Sequence, residues 1–109
     1  MKKVKITVIK CCLNKDLIDE SIKLKPCNYN KVGMSFFSNG WQKPKGLCDN
    51  AWKSMMEYVF TLSHGGGNFY DCKNDSKSFI VSCNDGRRPV CYLIEAMDEE
   101  STNLFEKNK

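Results

Sequence analysis

The sequence has one histidine, three prolines and, among seven cysteines, no C-x-x-C pair. With a single histidine, His64, multi-histidine metal cages are excluded and a cysteine–histidine dyad has only one base available. The missing C-x-x-C knuckle argues against a zinc ribbon. No stretch approaches the ~20 apolar residues that cross a bilayer, so no membrane partner is expected. Met1-Lys2-Lys3 has the charge of a signal peptide, but Lys5 and Lys10 interrupt the apolar run from Val4 to Ile9. The odd cysteine count and the lack of a leader together point to reduced thiols in a cytoplasm, not a disulfide framework.

The chain does contain enough for an unaided core. It has 109 residues, 41% of them hydrophobic, with six Phe, four Tyr and two Trp. That composition suits one globular domain, expected over residues 1–98, with a charged and frayed tail over 99–109. Charge is unevenly spread. Residues 1–53 carry eleven lysines against four acids, and residues 54–109 carry six basic against nine acidic side chains. Such asymmetry can mark an anion-facing surface, or lysines that only solvate outer faces. A pI near 8.7 falls short of the ~9 that makes nucleic acid the first expectation.

Val4, Ile6 and Val8 alternate with Lys3, Lys5 and Thr7, which predicts a strand with one buried face. A short helix should follow, capped by Asn14, stapled by Leu13 and Ile18, and ending near Ile22 before Pro26. Residues 25–33 read as a loop, 34–38 as a short strand and Asn39-Gly40 as a turn. The main helix should run from Asp49 to Ser63. Its apolar pairs, Ala51/Trp52, Met55/Met56 and Val59/Phe60, form a stripe wide enough to cover a sheet. Gly65-Gly66-Gly67 should stop it. Residues 79–97 read as a hairpin turning at Asp85-Gly86, with positive φ at the glycine. Leu104 and Phe105 are candidates to dock. The fold class is therefore α+β, in the order β-α-β-α-β-β, with a largely antiparallel sheet and one long helix on one face.

The candidate chemistry rests on cysteine. His64-Gly65-Gly66-Gly67 copies an oxyanion-hole string, but no G-x-S-x-G elbow accompanies it. Cys48 and His64 lie at opposite ends of the long helix, ~24 Å apart at 1.5 Å per residue, so they cannot form a dyad. Cys11 and Cys12, if both on a strand, point to opposite faces. Cys27 in a loop, Cys48 at a helix start and Cys83 at a strand end can converge at one end of the sheet. Three thiolates there could hold zinc or an iron–sulfur cluster, or Cys48 could be reactive because a helix N-terminus favours its thiolate. Against both stands simple packing, since cysteine is among the most buried residue types. Arg87, Arg88 and Trp41 are candidate contacts for an anion or a partner. Tyr29, Lys31, Phe36, Trp41, Lys43 and Lys45 make a thin basic and aromatic stripe, although the simpler reading puts Phe36 and Trp41 in the core. A small-molecule or protein partner is the leading expectation, nucleic acid is not, and a homo-oligomer is open.

Two strings carry a resemblance. Trp41-x-x-Pro44-x-Gly46-x-Cys48-x-x-Ala51-Trp52 and Cys83-x-Asp85-Gly86-x-Arg88-Pro89-Val90 resemble a family of small uncharacterised bacterial proteins of clostridial type. The opening Lys3–Val8 and Asp16-Leu17 also fit, so the likeness spans roughly residues 3–97. It implies no activity. It implies that Cys27, Cys48 and Cys83 occupy the family's cysteine positions, with Asn28 after Cys27 where the family has proline. Cys11, Cys12, Cys72 and Cys91 have no counterpart in it.

Overall fold

Period-two alternation carries β1 through Lys2–Cys11, and Val4, Ile6 and Val8 turn inward to full burial. In this computed structural model, which describes residues 1–70 and 77–101, β1 lies at the centre of a four-stranded sheet. Its neighbours are β2 (Ser35–Ser38) and β4 (Val90–Glu100), with β3 (Ser78–Ser82) at the far edge, in the order β2-β1-β4-β3. Every pairing is antiparallel. The single α-helix among the described residues, α1 (Asp49–Ser63), packs on one face against β1, β3 and β4. The fold is α+β.

Helix α1 has the bounds that its periodicity predicts. Ala51, Met55, Val59 and Leu62 recur at helical spacing and are wholly buried against Val4, Ile6, Tyr92 and Ile94. Gly65, at φ 87°, ends the helix. Its N–H bonds to Leu62 O and the Gly66 N–H to Thr61 O, the paired bonds of a Schellman stop. The buried stripe is narrower than the sequence suggests. Trp52 is half-buried against the core, while Met56 and Phe60 stay exposed.

Three other expectations change. The first helix shrinks to a 3₁₀ turn over Lys15–Leu17. Asn14 does not cap it, because its side-chain amide donates to Gly86 O at 2.7 Å and its N–H to Arg87 O. The β3–β4 connection is wider than a two-residue turn, and Gly86 has no positive φ. Asp85 shapes it instead, its Oδ1 accepting the N–H groups of Arg87 and Arg88. Trp41 lies outside the core at 39% exposure, whereas Phe36 is inside it. Leu104, Phe105 and Cys72 fall outside the described residues.

The charge asymmetry of the sequence is folded away in part. Antiparallel pairing sets the lysines of β1 beside the acids of β4. Lys2 meets Glu100 at 2.6 Å, Lys3 meets Glu99 at 2.7 Å, and Lys5 lies opposite Glu95. These are exposed pairs and stabilise little, but they cancel local field.

The end of the sheet where β1 begins is locked by serines. Ser63 donates to Lys2 O at 2.7 Å, Ser38 accepts the Gly40 N–H, and Ser101 donates to Asn39 O at 2.6 Å. Gly40 sits at φ 107°, and a Cβ there would overlap the Ser63 hydroxyl. Gly40→Ala should therefore cost about 1–3 kcal/mol. Gly86→Ala, with open space around it, should stay within about 0.5 kcal/mol. Denaturant midpoints of the two variants test this directly, and equal costs would contradict the packing described.

Candidate functional site

Six of the seven cysteines are described, and the fold brings all six toward the opposite end of the sheet. There β1 finishes at Cys11 with Cys12 following, and β4 starts at Val90 and Cys91. Cys83 follows β3, its N–H bonded to Val90 O, and Cys48 is the N-cap of α1. Cys27 arrives from the long segment between the 3₁₀ turn and β2. Each of these thiols is half-buried. Cys11, Cys27, Cys48 and Cys83 pack against the edge of the hydrophobic core.

The buried phenol of Tyr92 is the common point. Tyr92 is 1% exposed, and its hydroxyl donates to Asn30 Oδ1 at 2.9 Å. Burial pushes this phenol far above its ordinary value, and Cys83, Cys48, Cys27 and Cys11, in that order, push it further. Charge on any of those four thiols would thus be felt at one hydroxyl. Asn30, itself 1% exposed, holds the surrounding chain together. Its side-chain amide donates to Gly46 O at 3.4 Å, just ahead of α1, and its own carbonyl accepts the Cys11 thiol at 3.4 Å.

Cys11 reaches this cluster through an irregularity. Strand alternation from Val4, Ile6 and Val8 would turn residue 10 inward and residue 11 outward. The register shifts between Val8 and Lys10, however, so that Cys11 pairs with inward-facing Val90 and Lys10 with outward-facing Cys91. The bulge adds one residue and exchanges the faces. Burial raises the Cys11 thiol above its ordinary value, with charge on Cys27 adding to it and the Val32 N–H opposing it. Cys12, one residue on, bonds through its N–H to Pro89 O and falls on the opposite face with Cys91. There burial raises the Cys91 thiol, and Cys12 acts next, by charge and as a hydrogen-bonding neighbour.

The structure therefore brings Cys27, Cys48 and Cys83 together and adds Cys11, Tyr92 and Asn30. Alternation alone misplaces Cys11, and nothing in the local sequence marks the Tyr92–Asn30 pair. Among the described residues, no three His, Cys, Asp or Glu side chains stand close enough as arranged to hold a metal ion. The Cys48 sulfur takes no hydrogen bond from the first-turn amides of α1, so it does not use the helix N-terminus in the way its position suggests. The Cys83 sulfur accepts the Val90 N–H at 3.3 Å.

The basic candidates have structural ties. Arg87 Nε donates to Leu17 O at 2.9 Å and pins the 3₁₀ turn, while Arg88 Nε leans on Asp85 at 3.5 Å. Lys43 pairs with Asp49 at 2.7 Å. His64 stands at the far end of α1, where its Nδ1 lies 2.9 Å from Phe60 O. No helix among the described residues is long and apolar enough to cross a membrane. No family model, curated protein or solved structure matches this chain.

Removing the Tyr92 hydroxyl leaves Asn30 Oδ1 buried without its partner, so Tyr92→Phe should cost about 1–3 kcal/mol. The pH dependence has a definite sign. A phenol raised in the folded state keeps its proton after the unfolded chain has lost it. Stability from this group is therefore full below the ordinary value of 10.0 and falls as pH rises above it. Melting temperatures across alkaline pH should show a shallower fall in Tyr92→Phe than in the native chain. Parallel curves would contradict the buried phenol.

Proposed function

We propose that this chain is a small binding domain whose working end is the cysteine-lined end of the sheet. The ligand class that suits it is thiophilic, with a soft metal ion, zinc among them, as the leading member. One observation carries the reading: four thiols from four separate stretches of chain pack against the edge of the core and act electrostatically on a single buried hydroxyl. Packing cysteines are expected to be fully buried. None of the six described here is, so reagents and ligands can reach them.

The thiols are gathered but do not stand at ligand distances from one another. Rotation between staggered χ1 wells moves a cysteine sulfur by about 3 Å, which is the scale of adjustment that binding would require. Thiolates are the binding form, so uptake of an ion would release protons and weaken as pH falls. An iron–sulfur cluster draws on the same four donors but demands all of them at once. Both strings that resemble the small bacterial family have a cysteine at this end, Cys48 in one and Cys83 in the other. Nucleic-acid binding through the basic N-terminal half has less to support it, because Lys43 is paired with Asp49 and Lys2 and Lys3 with Glu100 and Glu99.

Timed alkylation with peptide mapping tests this reading. Protein purified without chelator or affinity metal should show Cys11, Cys27, Cys48 and Cys83 protected together and released together by a chelator. Cys12 and Cys91, on the other face, should not follow them. Metal analysis of the same sample should find the ion. Four thiols reacting at unrelated rates, unchanged by chelator and by added zinc, would overturn the proposal.

A further inference from the structure

The apolar residues that α1 does not bury are grouped. Trp52, Met56 and Phe60 follow one another at four-residue spacing along the helix, and Trp41 joins them from the turn after β2. With Glu57 they line an open groove of about 280 Å³. The Phe60 ring packs on His64 with 4.1 Å between centroids, which steadies one wall. Even so, Trp41, Met56 and Phe60 remain 39%, 47% and 52% exposed. A contiguous patch of this kind suits an apolar occupant.

The described chain comes to its end beside that groove. Ser101 is buried and fixed twice, its N–H bonded to Met1 O and its hydroxyl to Asn39 O at 2.6 Å. Asn39 leads straight into the groove, because its Oδ1 accepts the Trp41 N–H at 3.3 Å. Gly40, between them, lies against Ser63, about one helical turn beyond Phe60. Eight residues follow Ser101, and Leu104 and Phe105 are the only large apolar side chains among them. Three or four residues of extended chain reach about 10–14 Å, and the two residues from Asn39 to Trp41 take up about 7 Å of that. We infer that Leu104 and Phe105 dock in the Trp41–Trp52–Met56–Phe60 groove of their own chain. So short a connection gives an effective concentration in the millimolar range, above that of a second copy in dilute solution. An outside apolar partner gains the groove only by displacing the segment. This contact lies away from the cysteine end and does not rest on the function proposed there.

Both tryptophans of the chain line the groove, so intrinsic fluorescence reports on it. Leu104→Ser and Phe105→Ser, made together in the full chain, should shift the emission to the red and raise quenching by acrylamide. Circular dichroism checks that this variant is folded. A photoreactive p-benzoylphenylalanine in place of Phe105, in an otherwise native chain, locates the contact independently. Irradiation of dilute protein should give an adduct within one chain, mapped by peptide mass to Trp41, Trp52, Met56 or Phe60. Emission and quenching identical in the native and doubly substituted chains would overturn the inference. So would adducts confined to cross-linked dimers, which would make a second copy the occupant. Adducts only outside the groove, or none at all, would overturn it equally.

Discussion

The hydrogen bond from Tyr92 to Asn30 is the contact on which the cysteine end of this protein depends. Tyr92 belongs to a central strand and is fixed by the sheet. Asn30 belongs to a long connecting segment with no regular structure to hold it. A buried side-chain amide without partners would be costly, so the segment must run where Asn30 can meet Tyr92, Gly46 and Cys11. Once it does so, Cys27 is drawn in with it, and the chain entering α1 is tethered beside β4. The site is thus a consequence of satisfying one buried polar residue.

The two ends of the sheet solve the same problem with different chemistry. Where β1 begins, hydroxyls of Ser38, Ser63 and Ser101 bridge backbone groups at short distances and leave no room even for a Cβ on Gly40. Among the described residues no buried side-chain polar atom there or elsewhere lacks a partner. Where β1 ends, the space is lined by half-buried thiols that make long, weak hydrogen bonds. Serines in that arrangement lock, whereas the thiols hold their neighbours by weaker bonds.

Much of this was legible in the sequence where local signals agreed. The long helix has a periodic face, a start at Cys48-Asp49 and a glycine stop, and its bounds follow residue for residue. The alternation of β1 and the hairpin of β3 and β4 are equally plain. Local signals were overridden where a particular side-chain bond or a bulge reshaped the backbone. Asn14 looks like a helix cap, yet its amide is bonded to Gly86 across the fold. Gly86 looks like a positive-φ turn residue, yet Asp85 shapes the connection from its side chain. Cys11 is turned inward by a bulge that no composition signal announces. Convergence of Cys48 and Cys83 could be guessed because each lies at the end of an element, whereas Cys27, in mid-segment, is placed by the contacts of Asn30.

The most direct test of the thiol account is spectroscopic titration of the reduced chain with cadmium, a soft ion whose thiolate complexes absorb in the ultraviolet by charge transfer. The account predicts a band that rises to a sharp end point at one ion per chain, diminishes when Cys11, Cys27, Cys48 or Cys83 is replaced by serine, and is unaffected by the same change at Cys91. A band that depends equally on every cysteine, or no end point at all, would contradict it.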